Sequence, residues 1–323
     1  MPKTPLRAFA MAAALLGPFG AHAGILVPVP QVPDSLETDV YSINTANVLT
    51  GSYTDQNGRE HGFVGTLDGK YKFSHYGENT DTQGRYINDS GMVTGTSFER
   101  QSPWYQFQFL RCPHGNVAPL TLKGRRLRGF GSPGGLTDNG ELAGQYEVDT
   151  PRSYTGTGTN YSKRIVLPFN GVYGTYATGV NNNGDIVGYY EPCGTCAVHG
   201  FVIRNGVAMQ VDYPDANEES TELLSINDKG VATGEWRDFE DSHYAFLLDI
   251  PNNRFQAFNV IRANGVSNAG LVAVDYNGAP HIYCPSRQNC PNGAGPRIEV
   301  RNRWIEAPPG SLKSILCSHD CRR

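Results

Sequence analysis

The sequence has no apolar stretch approaching the ~20 residues a membrane-spanning helix needs. The longest such run, Ala8 to Phe19, is too short. It has no basic excess. The formal net charge is −4, whereas a nucleic-acid-binding domain carries a basic surface, so nucleic acid is set aside as a partner. Outside the N-terminus no long stretch has apolar residues at i, i+3 and i+4, which excludes an array of helices. There is no Gly-x-Ser-x-Gly elbow and no His-Glu-x-x-His, so no catalytic motif announces an enzyme, and no cofactor is implied.

What is present begins with a leader. Lys3 and Arg7 precede the apolar run, and Ala21-His22-Ala23 is a small-x-small cleavage site. This is the pattern of a secretory signal peptide over residues 1–23. The expected mature chain starts near Gly24, is periplasmic or extracellular, and has no cysteine after the cleavage site for a lipid anchor. Losing Lys3 and Arg7 makes it slightly more acidic.

A short unit then recurs. Its clearest copy is Gly179-Val180-Asn181-Asn182-Asn183-Gly184-Asp185-Ile186-Val187-Gly188-Tyr189. Other copies begin at Ile43, Ile87, Leu136, Ile226 and Val266, the last being the most degraded. Measured from the second residue (44, 88, 137, 181, 227, 267), the spacings are 44, 49, 44, 46 and 40. A period of about 40–50 residues belongs to propeller blades or helical arrays. The unit itself reads as strand, tight turn, strand. Asn and Asp bond the local backbone, and Gly takes positive φ without steric cost. In the fourth copy His199-Gly200-Phe201-Val202-Ile203 makes a third strand, Asn205-Gly206 a hairpin turn, and Val207–Tyr213 a fourth. Four strands per repeat is the content of a propeller blade. The abundant Gly (38) and Pro (21) are evenly spread, as many short strands and turns require.

The predicted fold is therefore an all-β propeller of about six four-stranded blades, in one domain over 24–305, followed by a C-terminal tail over 306–323. Residues 24–40 supply an edge strand, because prolines donate no ladder bond, and this strand can close the ring on the last blade. A seventh blade built from 24–40 and 304–323 is the alternative.

The pattern Gly-[Val/Ile]-Asn-x-x-Gly-x-Ile-Val-Gly-x-Tyr followed by His-Gly-Phe resembles the HAF-repeat family of exported bacterial proteins. The resemblance covers roughly residues 40–285 and is best in repeats one, four and five. It implies an exported propeller with no activity common to the family, and it carries over no catalytic residue. Asn181, Gly184, Gly188, His199, Gly200 and Phe201 match as repeat framework. Repeat three departs from it, with Lys163-Arg164-Ile165-Val166 in place of His-Gly-Phe.

Residues that carry chemistry are sparse. His61, His199, His243 and His281 fall on equivalent third strands of separate blades, too far apart to share a metal. Each is expected to bond a backbone group, and no metal site is assigned. Of seven cysteines, Cys193–Cys196, Cys284–Cys290 and Cys317–Cys321 are the economical disulfides in an oxidising compartment, leaving Cys112 free; sequence alone leaves the connectivity open. Cys193-Gly194-Thr195-Cys196 has redox spacing, but redox motifs open helices, and a loop brace is preferred here. A zinc site of Cys193, Cys196 and His199 lacks a visible fourth ligand. The basic cluster Lys123–Arg128 reads as a solvated loop, with an anion or acidic-glycan contact as the alternative.

The loops joining second and third strands share one face of a propeller. They collect Arg100 and Trp104, a long Thr150–Lys163 loop with Arg152, Tyr154 and Tyr161, then Glu191, Trp236 and Asp238. Mixed aromatic and charged loops on a rigid ring suit recognition of a sugar or protein surface. The expected function is binding or scaffolding, with a polysaccharide or cell-surface protein as partner. A polysaccharide hydrolase or lyase acting through paired carboxylates is the alternative, and a purely structural repeat module is a third.

Overall fold

The computed structural model describes residues 23–314 except 75–79, 101, 128–130, 148, 195, 215–219, 238–241, 259, 261, 286–289, 292–297, 302 and 307–311. The described residues form 29 strands in six sheets, antiparallel except for one parallel pair. Blade 1 is β2 (Glu37–Ile43), β3 (Val48–Thr54), β4 (Glu60–Thr66) and β5 (Tyr71–Ser74). Blade 2 is β6 (Thr80–Ile87), β7 (Val93–Glu99), β8 (Ser102–Arg111) and β9 (Val117–Pro119). Blade 3 holds β12 (Pro133–Leu136), β13 (Glu141–Glu147), β14 (Pro151–Thr157) and β15 (Asn160–Arg164). The short β10 (Thr121–Leu122) and β11 (Arg125–Arg126) lie on its outer edge, where β10 pairs parallel with β15. Blade 4 is β16 (Gly174–Val180), β17 (Ile186–Glu191), β18 (His199–Arg204) and β19 (Val207–Val211). Blade 5 is β20 (Thr221–Ile226), β21 (Val231–Arg237), β22 (His243–Asp249) and β23 (Arg254–Phe258). Blade 6 takes β24 (Arg262–Val266), β25 (Val272–Tyr276) and β26 (Ala279–Cys284) from one end of the chain and β1 (Ala23–Pro28) from the other. The protein is a six-bladed β-propeller.

Three sequence expectations need correction. β1 is not an edge strand: it lies between β26 and β27 (Ile298–Arg301), because Pro28 falls at its last position and leaves the preceding N–H groups free to pair. The supposed Thr150–Lys163 loop is the β14–β15 hairpin. Pro151–Thr157 is thus the third strand of blade 3, and Lys163-Arg164 belongs to the fourth. Tyr154 and Tyr161 are accordingly buried core, not loop aromatics. The expected domain limit at 305 falls inside β28 (Arg303–Glu306), which pairs with β23, and β29 (Leu312–Ser314) beyond it pairs with β19. The chain after blade 6 therefore runs backwards round the rim, adding an outer strand to blades 6, 5 and 4.

The core is a set of layers between neighbouring sheets. Val187, Val211, Leu223, Phe246 and Phe255 fill the gap between blades 4 and 5; Ile25, Val27, Val40, Leu49, Phe63 and Ile282 join blades 6 and 1.

The repeat motif has a physical meaning residue by residue. The first Asn both accepts and donates. Its Oδ1 accepts the N–H four residues on, as in Asp185 N to Asn181 Oδ1 at 2.9 Å, closing its own turn. Its Nδ2 donates to the next blade: Asn44 to Asn88 O (3.0 Å), Asn88 to Thr137 O (2.9 Å), Asn181 to Asn227 O (3.0 Å) and Asn227 to Ser267 O (3.0 Å). Thr137 and Ser267 cap their own turns by hydroxyl but show no such donation. The Gly three residues later has φ near +80°, as in Gly184 (78°). In repeat one Asn47 (φ 61°) takes its place, since Asn tolerates that conformation. Asn181→Ala is expected to cost about 2–3 kcal/mol, because it orphans a buried N–H and a buried carbonyl together. Asn181→Ser, which keeps the cap and loses the bridge between blades, is expected to cost less. Equilibrium denaturation of both variants checks the order.

Candidate functional site: the axial pocket on the loop face

Each innermost strand presents alternate residues to the axis, as strand geometry requires. Counted back from the turn residue, these are positions −5 and −3. The first set is Asp39, Gln83, Ser132, Tyr176, Glu222 and Arg262; the second is Tyr41, Arg85, Gly134, Thr178, Leu224 and Asn264. All six strands break register here, between Val40 and Ser42 in β2, for example, and between Gly84 and Tyr86 in β6. A bulge re-aims the side chain it carries, so Tyr41 and Arg85 are turned into the channel at the same height.

A cavity of about 130 Å³ lies at this level, lined by Tyr41, Arg85, Gln145, Thr178, Arg262 and Asn264 among others. A second, of about 250 Å³, shares Arg85, Ser132 and Gln145 and extends to Phe98, Glu147 and Tyr176. Tyr86 lines the first cavity and also a cavity of about 30 Å³ at the opposite, Asn-turn end. Its hydroxyl reaches Ile226 O at 3.4 Å on the facing blade, so a tyrosine crosses the axis and forms a floor. Beyond it the turn tips of the blades hydrogen-bond to one another, with Asn182 Nδ2 between Asp138 (2.8 Å) and Asp228 (2.9 Å) and Asn268 Nδ2 between Asp89 (3.0 Å) and Asp228 (2.7 Å). One end of the channel is thus cross-braced, and the other is a pocket opening onto the loop face.

The walls are strongly coupled electrostatically. Burial, then the charges of Glu37, Glu60 and Asp275, push the Asp39 carboxyl up to about 6. Burial and Glu235 raise Glu222, against the pull of Arg237 and Arg262. Arg237 pairs with Glu222 at 3.1 Å, and Arg262 with Glu235 at 3.5 Å. Burial raises Tyr41 and Tyr176; the Tyr176 hydroxyl donates to Glu191 Oε1 at 2.8 Å. The Arg85 guanidinium lies over the Tyr41 ring, 4.7 Å from its centroid. A carboxyl whose folded pKa exceeds its unfolded one holds its proton more tightly in the folded state. The contribution of Asp39 to stability is therefore complete below about pH 4 and is lost as pH rises through about 6. Asp39→Asn is expected to flatten this part of the stability profile, as thermal unfolding between pH 4 and 7 would show.

The predicted loop residues surround this pocket unequally. Glu191 reaches it through Tyr176. Arg100 bridges blades 2 and 1 instead, 3.4 Å from Asp81 Oδ2 and donating to Gly58 O at 3.1 Å. Arg152 lies in β14 opposite Tyr146. Trp236 is stacked between Tyr213 (4.8 Å) and Tyr244 (4.7 Å), so both ring faces are taken. Trp104 sits in β8; Asp238 is outside the described residues. Sequence reasoning missed Tyr41, Arg85, Gln145 and Arg262. A signal for three of these existed: within a repeat of constant framework, positions −5 and −3 change from blade to blade.

The histidines on third strands meet carboxylates more often than backbone. His61 lies 3.0 Å from Asp55, His199 2.7 Å from Asp212 and His243 3.6 Å from Glu235, while His281 faces Ala279 O at 3.0 Å. The Asp55 carboxyl, held by His61 and two backbone N–H groups, is lowered to about 2. Disulfides Cys193–Cys196 and Cys284–Cys290 are formed, and Cys112 is free and exposed; Cys317 and Cys321 are outside the described residues. Among the described residues no group of three His, Cys, Asp or Glu is placed to hold a metal ion. No helix among them is long and apolar enough to cross a membrane. Arg125 and Arg126 of the basic cluster are exposed on the outer edge of blade 3.

No protein-family model and no curated protein matches the chain. Among solved structures it is similar to TolB from Acinetobacter baumannii, with 14% identity and a TM-score of 0.49 over 89% of this chain and 67% of that one. It is also similar to a triple Arg-to-Ala mutant of AofleA from Arthrobotrys oligospora, with 13% identity and a TM-score of 0.44 over 86% and 92% of the two chains. At such distances the architecture rests on the chain's own strand pairing.

Proposed function

We propose that this is an exported, non-enzymatic binding propeller that recognises a glycan, or the surface of another protein, at its loop face. The carrying observation is the pocket at the centre of that face: six strands of one framework converge there, each with a different residue at position −3. Framework positions repeat because every blade needs them; positions that differ blade by blade and meet at one point make an asymmetric site, as a specific ligand requires. The leader and the HAF-like motif support export. The experiment is retention on a polysaccharide panel, with product release followed in the same wells. Retention without turnover that is weakened by Tyr176→Ala supports the reading; retention indifferent to pocket substitutions overturns it.

A second reading, a polysaccharide hydrolase or lyase, is favoured by one observation, the Asp39 carboxyl near 6 beside Glu37 and Glu60. A general acid has such a value. Release of products that stops in Asp39→Asn would establish this reading in place of the first.

A further inference from the structure

The fold does not account for Arg85. Among the described residues no acceptor meets its guanidinium, and its Nε is buried without a partner. Gln145 Oε1 is also buried without one. Both side chains line the cavity of about 130 Å³ and the adjoining one of about 250 Å³. Arg85 is half-buried and feels the charges of Glu60 and Asp39, but a buried guanidinium nitrogen without a hydrogen bond is unfavourable, and buried polar groups in native proteins are paired as a rule. Arg85, whose guanidinium makes no hydrogen bond among the described residues, and the Gln145 amide line the same two cavities, and are therefore placed for something that enters them.

Their chemistry defines what enters. The Arg85 guanidinium lies over the Tyr41 ring and makes no hydrogen bond among the described residues, and a guanidinium fork grips a planar oxyanion bidentately. Arg262 adds a second cation to the lining of the smaller cavity, and no carboxylate contributes to that lining. Asp39 and Glu60 act on Arg85, Glu235 pairs with Arg262, and Glu147 lines the adjoining cavity, so a doubly charged group is disfavoured relative to a single negative charge. Asn264, Gln145, Thr178 and Ser132 line the same space with amides and hydroxyls, which suit the hydroxyls of a sugar ring.

We infer that this cavity is a carboxylate subsite, anchored by Arg85, for the uronic-acid residue of an acidic glycan. The inference rests on the glycan reading above and assigns its ligand class.

The test is calorimetric titration of the chain from Gly24 with uronate oligosaccharides of galacto, gluco and manno configuration, their neutral counterparts and inorganic phosphate. At least one uronate is expected to bind tenfold or more tighter than its neutral counterpart and than phosphate. Arg85→Gln is expected to remove that preference without lowering the melting temperature; Arg85→Lys, with no fork, is expected to recover only part of it. Equal binding of acidic and neutral sugars, or a preference that survives Arg85→Gln, overturns the carboxylate subsite and leaves the loop-face reading standing. Phosphate binding as tightly as every uronate overturns the choice of carboxylate. Failure of all the sugars overturns the subsite together with the glycan half of the loop-face reading. A lower melting temperature for Arg85→Gln without ligand would make Arg85 a structural residue and end the inference.

Discussion

Deleting residues 24–28 is expected to leave a chain with no cooperative unfolding transition. β1 is the fourth strand of blade 6, supplied from the opposite end of the chain to β24, β25 and β26, so it is the clasp that joins the two ends of the ring. Ile25, Leu26 and Val27 are 2%, 0% and 0% exposed. Ile25 and Val27 pack among residues of blades 6 and 1, and Leu26 among those of blades 5 and 6. Burying each such side chain contributes roughly 1.5–3 kcal/mol, before the ladders to β26 and β27 are counted. Together they approach the whole stability of an ordinary domain, about 5–15 kcal/mol. The deletion would also expose the edges of β26 and β27, which invites association. Size-exclusion chromatography and thermal circular dichroism check this outcome, and a synthetic peptide of residues 24–30 added in trans is expected to restore part of the transition. A deleted chain that melts as sharply as the parent would show that blade 6 closes without β1.

Gly188→Val is expected to be nearly as damaging, at about 3 kcal/mol or more. Gly188 pairs with Phe201 across β17 and β18. A Cβ there would overlap the Tyr176 carbonyl oxygen and stand 2.9 Å from the Phe201 ring. A carbonyl of the innermost strand has no room to retreat without moving the sheet. The same pairing recurs as Gly51 with Phe63, Gly95 with Phe109 and Gly234 with Phe246. The second Gly of the motif and the Phe of His-Gly-Phe are thus two halves of one contact. Gly184 is the contrast: it has φ +78°, and a Cβ added there would meet nothing within 4 Å. Gly184→Ala is expected to cost only the roughly 1–2 kcal/mol of a left-handed non-glycine residue. Denaturant titration separates the two variants, and equal midpoints would refute the packing account.

The outline of this fold was legible because the repeat writes it several times over. Asn181, Gly184, Gly188 and Phe201 recur at matching places, and each marks a constraint internal to one blade or to a pair of neighbours. Blade 3 is the exception because its third strand has neither the His nor the Phe of His-Gly-Phe, with Tyr154 in the place of the Phe opposite Gly144. Lys163-Arg164-Ile165-Val166 draws the register one strand outward, and the true third strand, with Gly156 beside Tyr154, has no such marker. The loop face was legible as a face, since connections between second and third strands must share one. Its centre was not.

Local chemistry was therefore decided by the sequence alone: the strand–turn–strand unit, the glycines that positive φ and close packing demand, and the six copies that become six blades. All of these depend on residues near in sequence or repeated within it. Only the tertiary structure decided what meets at the axis. Tyr41, Arg85, Tyr176, Glu222 and Arg262 come from five blades, and bulges aim some of them inward. Whether Arg85 has a partner depends on side chains some 40 to 180 residues away in sequence. No pattern along the chain encodes that, because it is a property of the space the closed ring encloses.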